Sequence, residues 1–231
     1  MRKQQKIWLN EHANVKSVLP TMANTEPTSG VVLFTDWLIK NGVSMSGKAV
    51  DIGCGKGRNS THLASLGLDV WAFEYIEPAI DAARKLAKDR NVSKKIIFEL
   101  SEVDKPWKIV DNFFDIAVDS FSSIDIETKT GREICRDEMF RTLKIGGYAL
   151  VNVCSAEDEW EKELIINHPG PEPNSTIWPQ SGKFQKNYTK SELREFYRLF
   201  EIVELKSISK PAYKLGKDGI ATNLWMVLRK N

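Results

Sequence analysis

The chain predicts an α/β fold in which a mainly parallel sheet carries helices on both faces. Three observations point to it. Apolar strand-like runs alternate with helical runs from about residue 48 to residue 154. A glycine-rich turn, Gly53-Cys-Gly-Lys-Gly57, joins the first strand of that series to the next helix. The last two strands follow one another with no helix between them, so the final strand should run antiparallel to its neighbours.

The elements follow in order. A loop of Pro, Thr, Ser and Gly is expected from Pro20 to Gly30, then a helix with Val31, Val32, Phe34, Trp37 and Leu38 on one apolar face. Asn41-Gly42 ends it, since both residues tolerate positive φ. Lys48–Gly53 is a short strand running into the glycines. Arg58–Leu66 reads as a helix closed by Gly67, and Asp69–Tyr75 as a second strand. Pro78 stands where the first turn of the next helix begins. That helix continues through Ala83, Leu86 and Ala87.

Lys95–Leu100 and Phe114–Asp119 are the third and fourth strands. Glu133–Leu143 is helical, with Gly146-Gly147 as its breaker. Tyr148–Cys154 is a fifth strand, apolar enough to be buried on both faces. His168–Lys186 is rich in turn formers (Pro169, Gly170, Pro171, Pro173) and predicts one long surface loop. Thr189-Lys-Ser-Glu192 is a capping box that opens a helix to Tyr197. Glu201–Ile208 and Asn223–Arg229 are the closing strands.

A chain of 231 residues suits one large α/β domain. Its net charge is +2 and no patch of clustered Lys and Arg stands out, so no nucleic-acid partner is expected. The basic start, Met1–Lys6, reads as a solvated tail. No apolar run reaches membrane-spanning length, and no signal-peptide core is present. The cysteines Cys54, Cys135 and Cys154 are odd in number and widely spaced, which fits neither a disulfide framework nor a zinc site. A reducing, cytoplasmic compartment and no metal are the expectation.

The chemistry centres on Val50-Asp-Ile-Gly-Cys-Gly-Lys-Gly-Arg-Asn59. Glycines at 53, 55 and 57 remove every other Cβ, so a ligand can lie against bare backbone. The following helix N-terminus offers unpaired amides. Asp51 precedes the first glycine, and Glu74 ends the next strand, where an acid can grip a ribose diol. Asp51 would repel a pyrophosphate but attract an ammonium and a sulfonium. This argues against a dinucleotide and for S-adenosylmethionine. Cys54 reads as a small filler, for no partner base accompanies it. His62 falls inside the helix after the glycines, where packing is its default role; His12 and His168 are not expected catalysts either.

These residues resemble the class I methyltransferase family over nearly the whole chain. Asp51-Ile-Gly-Cys-Gly-Lys-Gly57 matches its first motif, Glu74 its ribose-binding acid, and Phe114–Asp119 its fourth-strand motif. Leu143-Lys-Ile-Gly-Gly-Tyr148 matches its helix-to-strand turn, with Ile145 replacing the usual proline. Gly57-Arg-Asn-Ser60 with Leu63-Ala and Gly67-Leu-Asp-Val70 is similar to the tellurite-resistance and thiopurine branch of small-molecule methyltransferases.

The resemblance implies a Rossmann-like seven-stranded sheet of order 3-2-1-4-5-7-6 with the last strand antiparallel. It implies S-adenosylmethionine as cofactor, bound by Asp51, Gly53, Cys54, Gly55, Gly57, Asn59, Glu74, Tyr75, Glu102, Val103, Asp119 and Ser120. Glu102 and Val103 would hold adenine, although Glu102 reads equally as a solvated loop acid. Asp119 would lie near the methyl group and is the nearest candidate for a base, against a structural cap. Asp119-Ser-Phe-Ser122 stands where an Asn/Asp-Pro-Pro-Tyr would be, which disfavours amide or exocyclic-amine methylation by that mechanism.

The expected reaction is in-line methyl transfer to a small-molecule acceptor. Two alternatives stay open: a nicotinamide-dependent oxidoreductase and a non-catalytic module that binds S-adenosylmethionine. One domain is expected, with a cap at 1–30, a cofactor core at 45–155, a loop insertion at 156–188 and a C-terminal helix and strand pair at 189–231. The molecule should be a monomer or homodimer. The segment from Trp8 to Gly30 and the loop His168–Lys186 should close over the methyl group, with Trp8 and Trp178 excluding water.

Overall fold

The computed structural model describes residues 2–13, 24–214 and 216–231. Seven helices occur among them: α1 (Lys3–Ala13), α2 (Ser29–Lys40), α3 (Arg58–Ser65), α4 (Glu77–Asp89), α5 (Lys129–Thr142), α6 (Glu159–Asn167) and α7 (Lys190–Phe196). The strands are β1 (Lys48–Ile52), β2 (Asp69–Glu74), β3 (Ile96–Leu100), β4 (Phe114–Ser120), β5 (Leu143–Cys154), β6 (Ser175–Ile177), β7 (Phe184–Lys186), β8 (Glu201–Lys214) and β9 (Lys217–Arg229).

Seven strands form one sheet in the order β3-β2-β1-β4-β5-β9-β8. β1 to β5 pair in parallel, and β9 runs antiparallel to both β5 and β8. This is the expected fold and order: crossovers through α3, α4, the loop 101–113 and α5 join the parallel strands, while the last two share a hairpin. Alternation along each strand divides the side chains between two cores. Ala49, Ile116, Val118, Trp225 and Val227 pack with α2 and α3 on one face. Val50, Ile52, Ala117, Leu224, Met226 and Leu228 pack with α5 and α7 on the other. Both faces are buried, as a doubly covered sheet requires.

The local signals at element ends hold where a side chain or glycine makes them. α2 starts at Ser29, and Gly42 follows its end at φ +74°. Pro78 lies in the first turn of α4. Thr189 and Glu192 form both halves of the capping box of α7.

Other expectations need correction. The basic tail is helical from Lys3, and Gln4 is buried in the fold. The long surface loop His168–Lys186 contains the hairpin β6–β7, whose strands are almost wholly buried. Its prolines and glycine shape the approach to the hairpin, but the short strands close it. α6 was not anticipated; Asp158 caps it by accepting from the Glu161 amide. α5 begins at Lys129, where Thr128 caps it, and it ends at Thr142, before the glycines, which lie inside β5. β8 and β9 run past the sheet as a two-stranded ribbon, because their pairing continues to Lys214↔Lys217 while β5 stops at Cys154↔Asn223. Residues 14–23, including the start of the expected Pro20–Gly30 loop, lie outside the described residues.

Candidate cofactor and acceptor site

The site is built at the C-terminal ends of β1, β2 and β4, where open α/β sheets bind ligands. Asp51 lies next to the end of β1, buried, and accepts a 2.6 Å hydrogen bond from Ser60 Oγ on α3. Burial pushes its carboxyl up to about 6, and the Ser60 bond opposes that shift. Gly53 follows at φ +66°; a Cβ there would fall 1.9 Å from Ser122 Oγ. Gly55, at φ +54°, has among the described residues only His12 Cε1 within reach, 3.9 Å from where its Cβ would be. Here a glycine leaves a cradle of bare backbone. Gly57 is the N-cap of α3.

Glu74 ends β2 and is buried. Its carboxylate accepts from the amides of Gly55 (3.0 Å), Tyr75 (2.8 Å) and Ile76 (2.9 Å). Burial raises its carboxyl to about 7 in spite of these bonds. The amides fix the acid at the edge of the cradle, directly linked to the glycine loop. Cys54 is buried beside it, and burial pushes its thiol up, which suits an inert filler.

The remaining expected residues fall into two groups. Tyr75 and Glu102 lie beside the start of α1, and Val103, next in the chain, packs on the core with its carbonyl accepting from Trp107 Nε1. Arg2 sits over the Tyr75 ring, 5.8 Å from its centroid, and pairs with Glu102 at 3.1 Å and with Asp104. Gln5 Nε2 donates to the Tyr75 carbonyl at 3.4 Å. Asn59 and Ser120 meet on the other side through Thr28. Asn59 Oδ1 accepts from the Thr28 amide at 2.9 Å, and Thr28 Oγ1 lies 3.2 Å from Ser120 Oγ. Asp119 is beside Ile52 in the sheet register, but its carboxylate accepts from the amides of Ser122 (3.2 Å) and Ser123 (3.1 Å). Tyr197 hydrogen-bonds to it from behind, and burial raises its carboxyl.

Sequence reasoning missed several neighbours. His12 lies over Gly55, with its Nδ1 buried and unpartnered, and desolvation lowers its imidazole to about 4. Ser60, Ser122 and Thr28 also belong to the site. Ser60 and Ser122 stand in the motifs Gly57-Arg-Asn-Ser60 and Asp119-Ser-Phe-Ser122, which give them no role of their own; nothing in the sequence marks His12 or Thr28. His62 packs as expected, 3.0 Å from Thr35 Oγ1.

α1 bridges the site. Gln4 pairs with Phe184 of β7 through both its amide groups, at 3.0 Å each. Trp8 lies 5.9 Å from His12 between ring centroids and beneath Lys183 Nζ at 4.5 Å. Trp8 of one segment expected to act as a lid therefore touches Lys183 of the other, while residues 14–23 of the first lie outside the described residues. A separate cleft of about 480 Å³ opens between α5, α7 and the outer face of the hairpin. Its charges pair with each other, Lys186 with Glu192 and Arg132 with Glu172, and it lies away from the cradle.

The family model for a methyltransferase domain matches residues 44–200. The chain belongs to the methyltransferase-domain family. It is 22% identical over 173 residues to the probable S-adenosyl-L-methionine-dependent methyltransferase TehB of Haemophilus influenzae, a match covering 74% of this chain and 52% of that protein. The chain thus spans about half the length of the curated relatives it matches. A SAM-dependent methyltransferase from Methanosarcina mazei shares the fold with a TM-score of 0.71 at 22% identity, over 84% of this chain and 96% of that one. So does a 1,6-didemethyltoxoflavin-N1-methyltransferase from Burkholderia thailandensis, solved with 1,6-didemethyltoxoflavin and S-adenosylhomocysteine: TM-score 0.70, 16% identity, 99% and 88% covered. The match identifies residues 44–200 as a methyltransferase domain, which displaces the nicotinamide reading. Among the described residues no helix is long and apolar enough to cross a membrane.

Proposed function

We propose that the protein transfers the methyl group of S-adenosylmethionine to a small-molecule acceptor. The observation that carries this is the cradle itself: a buried Asp51, Gly55 with His12 of α1 beside it, and the anchored Glu74. Asp51 would attract the cofactor's positive end, Glu74 would take the ribose hydroxyls, and Gly53, Cys54, Gly55 and Gly57 would give it backbone to lie on. Tyr75, Glu102 and Val103 would flank the adenine, with Asn59 and Ser120 toward the methionine end.

The cofactor supplies an activated methyl group. The protein's own work is then to orient and to exclude water. α1 and the hairpin are placed to do the second. Asp119 is better read as a positioning residue than as a base, because the Ser122 and Ser123 amides and Tyr197 occupy its carboxylate. The likeness to a 1,6-didemethyltoxoflavin-N1-methyltransferase supports a small acceptor. We read the chain as one domain with a cap at 1–30, a core at 45–155, an insertion at 156–188 and a C-terminal part at 189–231. It would act in the cytoplasm, as a monomer or homodimer, without nucleic acid.

Calorimetry with S-adenosylhomocysteine tests the reading. Asp51→Ala and Glu74→Ala should each weaken binding by about 1–3 kcal/mol, the scale for losing a charge-assisted hydrogen bond. Wild-type affinity in both variants, or preference for NAD, would overturn it. Methyl transfer to any small acceptor separates the enzyme from a module that only binds the cofactor.

A further inference from the structure

The β6–β7 hairpin has two different faces. Alternation and the Thr176↔Gln185 pairing put Thr176, Trp178, Lys183, Gln185 and Asn187 on one of them. All five are buried, and four are polar. A strand face that only packed against the domain would be apolar. The opposite face carries Ser175 and Lys186, whose polar atoms have partners: Ser175 Oγ with Glu172, Lys186 Nζ with Glu192 and the Pro173 carbonyl.

On the first face satisfaction is incomplete. Among the described residues five buried side-chain polar atoms have no hydrogen-bond partner. Thr176 Oγ1 and Asn187 Nδ2 belong to this face. Ser123 Oγ and Asp125 Oδ1 belong to the 3-10 turn that follows β4 and packs on β7. The fifth is His12 Nδ1, over Gly55. Buried polar groups are normally paired, and leaving them unpaired is costly. Thr176 Oγ1 and Asn187 Nδ2, with Asp125 Oδ1 held only by an ion pair to Lys183 at 3.6 Å and His12 on the helix that covers both segments, mark a place made for a polar ligand.

The place adjoins the cofactor cradle. The turn containing Ser123 and Asp125 grows from β4 directly after Ser122, which lies against Gly53. Lys183 Nζ stands 3.6 Å from Asp125 Oδ1, with the Trp8 ring 4.5 Å and the Trp178 ring 5.2 Å away. Gln185 reaches Glu161 at 2.8 Å and closes the far wall.

We propose that this inner hairpin face, with Ser123 and Asp125, is the acceptor site, and that Asp125 is the catalytic residue that takes the acceptor's proton. The proposal rests on the methyltransferase reading above. The ligand it fits is a small planar ring whose reacting atom carries an acidic proton: a phenol, an enol or a ring N–H. The tryptophans supply flat apolar walls, and Thr176, Asn187 and Ser123 supply hydrogen bonds to ring substituents. Asp125 Oδ1 accepts the proton, and Lys183 holds the carboxylate in place and offsets charge on the acceptor. In the step, the acceptor atom gains the methyl carbon while its proton passes to Asp125. The electron pair of the broken carbon–sulfur bond stays on sulfur.

Two measurements test this, both on the full chain saturated with S-adenosylhomocysteine. Thr176→Val removes an unpartnered hydroxyl with little change of shape. This variant should melt at or above the wild-type temperature and keep cofactor affinity within twofold; a drop of several degrees would show a structural network and overturn the proposal. p-Nitrophenol is the probe for the second measurement. It should quench tryptophan fluorescence, and Lys183→Met and Asp125→Asn should each weaken its binding at least tenfold. No quenching in the wild type, or equal quenching in all three proteins, would overturn the proposal. Failure of the wild type to bind S-adenosylhomocysteine would instead sink the methyltransferase reading.

Discussion

Asp51 and Glu74 are two acids that burial holds partly protonated, at about 6 and about 7. Both values lie above the ordinary ones of 3.8 and 4.5. Between about pH 4 and 7 the ligand-free folded chain therefore binds more protons than the unfolded chain, and its stability from these groups falls as pH rises through that window. A cation bound beside Asp51 reverses the balance by favouring the carboxylate. Cofactor binding at pH 6 should thus release protons. Calorimetry in buffers of different ionisation enthalpy should show that release, and Asp51→Asn should reduce it; an enthalpy independent of buffer in the wild type would refute the account. Gly53 is the other residue-scale test. Gly53→Ala places a Cβ 1.9 Å from Ser122 Oγ at φ +66°. Backbone strain alone costs about 1–2 kcal/mol. Chemical denaturation should show at least that loss.

At the scale of elements, the informative pair is α1 and the β6–β7 hairpin. They are far apart in sequence, yet Gln4 pairs with Phe184 as another strand would, donating from Nε2 and accepting at Oε1. Gln4→Ala leaves a buried amide and carbonyl of Phe184 unpaired, a cost of about 1–3 kcal/mol. Hydrogen exchange should accelerate in α1 and the hairpin together while the sheet keeps its protection. Acceleration in α1 alone would mean that the two segments do not act as a unit. Neither segment was legible as such in the sequence. α1 has no acid in its first turn and no strong apolar stripe, and β6 and β7 are three residues each among prolines and glycines. Their stability comes from tertiary contacts, which no local signal announces.

At the scale of the whole molecule, the sheet separates two cores that share its strands. Trp225, on β9, is fully buried against α2, and its Nε1 donates to the Gly30 carbonyl at 2.9 Å. It ties the last strand to the segment that enters the site at Thr28. Trp225→Ala should cost about 3–5 kcal/mol, the range for truncating a large core aromatic. Urea unfolding followed by fluorescence and by far-UV circular dichroism should shift as one transition. Separate midpoints for the two signals would contradict a single domain.

The sequence by itself determined the parallel βα series, the strand order with its antiparallel finish and the capping box at Thr189, and it singled out the acid–glycine run of the candidate site. These rest on short-range rules: period-two apolar strands, glycine where φ must be positive, and acids one strand apart. Tertiary structure decided the rest. The direction of the Asp119 carboxylate depends on a turn that folds back onto it, so its place at a strand end could not reveal its partners. His12, Trp8 and Lys183 come together only because α1 lies across the sheet's ligand edge and meets a hairpin more than 160 residues away in the chain. The packing of α1 on the hairpin is a long-range event, and the polar face it buries can be recognised only once its neighbours are in place.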